Sequence, residues 1–248
     1  MKITVIGGTG LIGSQLVTTL RNAGHDVVAA SLSSGVDLLT GAGLDDALAG
    51  AHTVVNVSNS PTFDDKSLPF FRTTVGNLLS AGERAGVRHQ VALSIVGVDQ
   101  VPGLDYYRAK TLQEDLLRES PTPYSIVRVT QFFEFMDAVL SWTTDDGVVR
   151  LPATPVQPIA SADVVAALAD VATGEPLNGT LDVAGPDLLT LDEVGRITLA
   201  ARGDGGEVVV DAGAGMFAAV PGDVLTPGPG ARLAPTHYRD WLKTRATV

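Results

Sequence analysis

Residues 2–13 read Lys2-Ile3-Thr4-Val5-Ile6-Gly7-Gly8-Thr9-Gly10-Leu11-Ile12-Gly13, and this stretch decides the fold. Lys2 to Gly7, with the apolar and β-branched run Ile3 to Ile6 inside it, is predicted to form a buried strand. From Leu11 to Asn22 the apolar side chains recur at helical spacing, and Gly24 closes the run. The glycines between satisfy G-x-G-x-x-G from Gly8 and G-x-x-G-x-x-G from Gly7. Glycine lets the backbone turn tightly and approach a pyrophosphate, whose charge rests on the free amides opening the helix. The strand before and the helix after give the pattern its meaning. It predicts a dinucleotide site bordered by Gly7, Thr9, Gly10, Leu11 and Ile12, with Gly13 letting the helix lie close to the first strand.

Outward from that loop, strands alternate with amphipathic stretches. Strands are predicted at Asp26–Ser31, Asp37–Leu39, Thr53–Ser58, Gln90–Ile95 and Tyr124–Val129. Helices are predicted at Leu44–Leu48, Lys66–Ala85 and Tyr106–Glu119. This is the rhythm of a Rossmann-like α/β fold, a doubly wound parallel sheet wrapped by helices. After Thr130 it changes. An aromatic helix is expected over Gln131–Trp142, then helices at Asp163–Ala172 and Leu191–Ala201, strands at Thr180–Val183 and Val208–Asp211, a Pro/Gly-rich loop over Pro221–Pro235 and a last helix at His237–Leu242. Residues 1–150 are read as the dinucleotide-binding core. Residues 151–248 are read as segments that complete it and cap a substrate site, in one integrated domain.

The composition narrows the function. The 248 residues hold 17 Lys plus Arg against 28 Asp plus Glu, a net charge of −11 that opposes binding to nucleic acid. An apolar fraction of 45% with 18% charged residues supports a sizeable core and excludes disorder for most of the chain. The absence of cysteine excludes disulfides, thiolate catalysis and Cys-ligated metals. The four histidines, His25, His52, His89 and His237, form no ligand-spaced pair, so no metal is expected. No stretch has the length of a membrane span and the N-terminus lacks a signal-peptide pattern, which predicts a cytoplasmic protein.

Two further patterns bear on chemistry. The second strand ends Ala29-Ala30-Ser31-Leu32-Ser33-Ser34, without the carboxylate that holds a free ribose 2′-hydroxyl in NAD-binding chains. Ser31, Ser33 and Ser34 offer hydroxyls to a 2′-phosphate instead, so NADP is expected, with NAD possible. In Tyr106-Tyr107-Arg108-Ala109-Lys110 a tyrosine and a lysine stand one helical turn apart, and Ser94 ends the preceding strand. A neighbouring ammonium lowers a phenol's pKa toward acid/base use, and a serine hydroxyl can hold a carbonyl oxygen. Ser94, Tyr106 and Lys110 are therefore the candidate catalytic residues.

With these residues in view the chain resembles the short-chain dehydrogenase/reductases, in their atypical or extended NmrA-like branch, over nearly its whole length. The resemblance rests on the glycine loop, Val54-Val55-Asn56-Val57-Ser58, Ser94, Tyr106-x-x-x-Lys110 with Glu114, Arg128 ahead of Gln131-Phe132-Phe133, and Asn178-Gly179-Thr180-Leu181-Asp182-Val183-Ala184-Gly185-Pro186. It implies cofactor ribose against Lys110, nicotinamide near Ser94 and the segment after Arg128, and proton transfer by Tyr106. Asp37, Val57, Ser58 and Asn59 complete the expected cofactor surface. One departure stands out: the second strand lacks the basic residue that many NADP-dependent members carry.

Gln131, Phe132, Phe133 and Met136, with Ser60 and Phe63 after the fourth strand, are expected to line an apolar substrate pocket. The implied function is an NADP-dependent oxidoreductase moving hydride between nicotinamide and a carbonyl or quinone of an apolar, aromatic or polyketide-like small molecule. Two alternatives stay open: a redox-neutral epimerase, dehydratase or cyclase on the same scaffold, and a non-catalytic NADP-binding regulator. The expected partners are a small-molecule substrate, no nucleic acid and no membrane, in a monomer or homodimer.

Overall fold

The computed structural model describes residues 1–245, so residues 246–248 of the expected capping segment lie outside the described residues. Two compact units divide the chain, Met1–Arg128 with Val164–Leu181, and Val129–Asp163 with Asp182 onward. In chain order the elements are β1 (Lys2–Ile6), α1 (Leu11–Asn22), β2 (Asp26–Ala30), α2 (Leu44–Leu48), β3 (Thr53–Asn56), α3 (Ser67–Ala85), β4 (His89–Ile95), α4 (Asp105–Glu119) and β5 (Tyr124–Val129). There follow α5 (Met136–Trp142), β6 (Thr144–Asp145), β7 (Val148–Leu151), β8 (Pro155–Val156), α6 (Ser161–Thr173), β9 (Gly179–Ala184), β10 (Leu189–Thr190), α7 (Leu191–Arg202), β11 (Glu207–Val210), β12 (Arg232–Leu233) and α8 (Tyr238–Arg245).

The central sheet has seven strands in the order β12-β9-β5-β4-β3-β1-β2. β1 pairs in parallel with β2 on one side and β3 on the other, and β3 pairs in parallel with β4. The chain therefore reverses its direction of winding at β1. Open α/β sheets bind ligands in the crevice at such a reversal, beyond the carboxyl ends of the strands. The strands are covered on both faces, which is why Ile3, Val5, Val54 and Val55 are all wholly buried. Phe71 and Val75 of α3, Ala92 of β4, Ala109 and Leu117 of α4 and Ile126 of β5 form one cluster that seats α3 and α4 on the sheet.

Three expectations change. Asp37-Leu38-Leu39 is a turn, not a strand: the Asp37 carboxylate accepts the Leu39 N–H at 2.8 Å and the Thr40 hydroxyl at 3.0 Å, closing the backbone on itself. Gln131 and Phe132 are extended rather than helical, because Ile159 takes their backbone groups. The Ile159 N–H donates to Gln131 O at 2.9 Å, and the Phe133 N–H donates to Ile159 O at 2.8 Å. Helix begins only after a 3-10 turn over Phe133–Phe135. The loop over Pro221–Pro235 contains β12, which pairs in parallel with β9. The second unit also carries a small sheet, β11-β7-β6, and the pair β10-β8. Among the described residues, no helix is long and apolar enough to cross a membrane.

At the other end of β4 from the crevice, His89 is wholly buried with Nε2 2.8 Å from Ser125 Oγ, and its Nδ1 has no partner among the described residues. Burial, with the His52 charge adding to it, pulls His89 down from 6.5 to about 4. The folded-state pKa lies below the unfolded value, so as pH falls through 6.5 the unfolded chain takes up a proton that the folded chain refuses. Stability should decline from that point and level off below pH 4, by about 3 kcal/mol from this group. Thermal melts should show a shallower decline for His89→Gln than for the parent; identical declines would count against it.

Candidate functional site

The site is built on the loop between β1 and α1. Gly7 has φ +81°, and a Cβ there would lie 3.0 Å from Ser58 N. A Cβ at Gly13 would lie 2.1 Å from Gly7 O, so the start of α1 presses on the loop itself rather than on the strand. These two glycines are demanded by close backbone approach. Gly10 is different. Its φ of −79° suits any residue, and a Cβ there would meet only Gly7 O, at 3.4 Å. Nothing in the protein needs that position bare, and the open space over it is a cradle. Gly10 provides no side-chain cap for α1, the first turn has no acidic residue, and Thr9, Gly10 and Leu11 are exposed. The positive end of the helix is thus open to an anion, and its chemistry fits a pyrophosphate. Ile12 is buried, so it can offer only its backbone there.

Beside the loop, Ser31, Ser33 and Ser34 form a tight turn just past β2. Ser34 Oγ accepts the Ser31 N–H at 2.8 Å, and the Ser31 and Ser33 hydroxyls lie 2.8 Å apart. No carboxylate stands at the end of β2; Asp26 opens that strand. The Asp37 carboxylate is held below its ordinary range by the Leu39 N–H and then the Thr40 hydroxyl, and is spent on that turn.

After β3 the backbone is fixed by asparagines. The Val57 N–H donates to Ile6 O at 3.0 Å. Asn56 Oδ1 accepts the Ser58 N–H at 3.0 Å and the Ser58 hydroxyl at 2.6 Å. Asn59 Oδ1 accepts the Ser60 N–H at 3.0 Å and the Tyr106 hydroxyl at 2.6 Å. Phe63, half exposed, meets the Tyr106 ring edge-on with centroids 4.9 Å apart, while Ser60 is buried and its Oγ accepts the Thr62 N–H at 3.3 Å.

Ser94, Tyr106 and Lys110 take three separate sets of partners. Burial pushes the Tyr106 phenol up to about 12. The expected lowering by Lys110 is therefore corrected. Lys110 is itself buried, with Nζ donating to Leu93 O at 2.7 Å and to Gln113 Oε1, 5.0 Å from the centre of the Phe71 ring. Burial pulls it down to about 7 against the opposing pull of Glu114. The Ser94 hydroxyl donates to Glu114 Oε1 at 2.5 Å. That wholly buried carboxylate also accepts from Arg128 Nε at 2.9 Å, Arg128 Nη2 at 2.7 Å and Arg118 Nη2 at 2.7 Å. Ser94 is thus part of a buried ionic network joining β4, α4 and β5, and its hydroxyl proton is committed.

Gln113 and Asn56 were not singled out from the sequence. The signal for Gln113 was present: three residues after Lys110 on one helix, it lies on the same face. In the second unit, Phe133 packs against Tyr238 and Trp241 with centroids 4.8 and 5.2 Å apart. Phe133 and Met136 are at most 1% exposed, so their side chains serve the core of that unit and are withdrawn from the expected pocket wall. Gln131 and Phe132 keep partial exposure.

Residues 7–174 match the model of the NAD(P)H-binding family. Over 210 residues the chain is 31% identical to a (4-alkanoyl-5-oxo-2,5-dihydrofuran-3-yl)methyl phosphate reductase of Streptomyces griseus, covering 77% of this chain and 70% of that protein. The structure of dTDP-4-dehydrorhamnose reductase from Bacillus anthracis in complex with NADP aligns with a TM-score of 0.75 at 14% identity, over 98% of this chain and 97% of that one. A short-chain dehydrogenase/reductase superfamily protein from Agrobacterium tumefaciens with bound NAD aligns with a TM-score of 0.72 at 19% identity, over 100% and 96%. At such identities these two structures speak for the fold alone. With the glycine loop, the strand order and the family match together, the chain belongs to the NAD(P)H-binding family.

Proposed function

We propose that the protein is an NAD(P)H-dependent oxidoreductase working in the reducing direction on a carbonyl-activated small molecule. The observation that carries this reading is the Tyr106 phenol, half-buried beside Phe63, whose hydroxyl donates to the neutral Asn59 amide oxygen, a bond a substrate oxygen can take over. At neutral pH it keeps its proton. A carbonyl oxygen gaining charge as hydride arrives needs a donor, whereas oxidation of an alcohol needs a base. The 31% identical reductase supports the same direction, and the substrate in its name carries oxo and alkanoyl groups. Quinones and aromatic ketones share that carbonyl activation. When bound, the nicotinamide supplies the hydride. The backbone of Gly7, Thr9, Gly10, Leu11 and Ile12 holds the pyrophosphate, and Val57, Ser58 and Asn59 border the cofactor. Lys110 has one N–H beyond those on Leu93 and Gln113 for a ribose hydroxyl. The polarising role expected of Ser94 is not retained, because its hydroxyl already donates to the buried, charged Glu114 carboxylate.

The test is consumption of NADPH or NADH with a panel of quinones, aromatic ketones and unsaturated lactones. Turnover with at least one class is expected. Tight cofactor binding with no consumption across the panel, or substrate conversion without net cofactor change, would overturn the reading.

NADP is the proposed form, supported by the Ser31 and Ser33 hydroxyls, with Ser34 shaping their turn by donating to Ser31 O at 3.0 Å, and by the absence of a carboxylate at the end of β2. Ser31→Asp should weaken NADPH at least about tenfold by like-charge repulsion while sparing NADH. Equal affinities of the parent for the two nucleotides in a calorimetric titration would reject the assignment.

A further inference from the structure

Resting on that cofactor reading, we propose that Gln113 is a positioning residue that orients the Lys110 ammonium toward the bound nucleotide and keeps it charged. Gln113 is wholly buried. Its Oε1 accepts from Lys110 Nζ, and its Nε2 has no partner among the described residues. A buried amide with an unpaired donor costs stability, and an apolar side chain of similar size would avoid that cost. Packing alone therefore gives no reason for glutamine here. Lys110 does. An ammonium has three donors and no acceptor, so only the carbonyl end of the amide can face it. Leu93 O supplies the second acceptor, with the Phe71 ring centre 5.0 Å from Nζ, so one N–H remains for the nucleotide. The charged group acting on Lys110 is Glu114, whose carboxylate is already shared by Ser94, Arg118 and Arg128. Neither α3 nor β4 adds a charge, since they present Phe71 and the Leu93 carbonyl. A fully buried lysine tends to lose its proton near neutrality, and each neutral acceptor removed makes that easier.

The test measures the NADPH dissociation constant by fluorescence titration from pH 6 to 9, together with the melting temperature, in the full chain. In the parent, affinity should decline as pH rises through neutrality, where Lys110 discharges. Gln113→Leu should weaken binding about tenfold at pH 7, the loss of one charge-assisted hydrogen bond, without lowering the melting temperature. Gln113→Glu should restore affinity and carry the decline to higher pH, because a carboxylate favours the ammonium. A purely structural role for Gln113 would not move that profile. If Gln113→Leu binds like the parent at every pH, the inference is overturned while the cofactor reading stands. It is overturned equally if Gln113→Glu binds weakly with the parent's profile. A parent that binds neither nucleotide removes the cofactor reading and this inference together.

Discussion

Gly10→Val should reduce affinity for both NADPH and NADH at least about 100-fold while leaving the melting temperature within experimental error of the parent's. The magnitude follows from displacing a pyrophosphate from two charge-assisted backbone hydrogen bonds. The fold is spared because Gly10 sits at φ −79° and ψ −178°, an extended conformation that valine adopts readily, and its Cβ meets only Gly7 O. Gly13→Val is the matched contrast. There the added carbon would lie 2.1 Å from Gly7 O, so the change should cost at least about 1–3 kcal/mol in stability. Calorimetry and thermal melts on the two variants separate a glycine kept for a ligand from a glycine kept for packing. Unchanged nucleotide affinity in Gly10→Val would remove the pyrophosphate site.

Tyr106→Phe should cut turnover with ketones by roughly 100- to 10,000-fold, the range for losing a general acid, with cofactor affinity unchanged. The substitution keeps the ring that packs against Phe63 and Phe71. It leaves Asn59 Oδ1 still bonded to the Ser60 N–H, so no buried acceptor is orphaned. Single-turnover kinetics with a ketone and with a quinone reduced to its hydroquinone anion provide the comparison, since the quinone needs no proton from the protein. The quinone rate should survive. Full ketone activity in Tyr106→Phe would make the tyrosine a pocket wall, and the proton would then come from water.

Much of the fold was legible in order along the chain because it depends on local pattern. Ile3 to Ile6 and Val54–Val55 read as buried strands from their apolar runs, α1 and α3 from helical periodicity, and the glycine loop from spacing that backbone geometry enforces. The misreadings have two causes. At Asp37-Leu38-Leu39 the signal was local: the Asp37 carboxylate closes a turn with Leu39 and Thr40, the habit of an aspartate ahead of a short polar residue. At Gln131 and Phe132 it was not: Ile159, far along the chain, bonds Gln131 O and the Phe133 N–H. Only in the second case did a hydrogen bond outside the local pattern win over propensity.

The candidate chemistry divides in the same way. The sequence by itself determined that Tyr106, Lys110, Gln113 and Glu114 lie along one helix, because a turn of helix sets that spacing regardless of surroundings. Only the tertiary structure decided what each side chain faces. Ser94 donates a hydrogen bond to Glu114, Lys110 turns onto Leu93 O and Gln113, and Tyr106 reaches Asn59. Burial then moves the phenol up and the ammonium down, the reverse of what an isolated Tyr–Lys pair implies. The physical reason is that a pKa is set by desolvation and by the atoms within hydrogen-bond reach. Those atoms come from the loop after β3, from β4 and from α3, which chain order alone does not bring to α4.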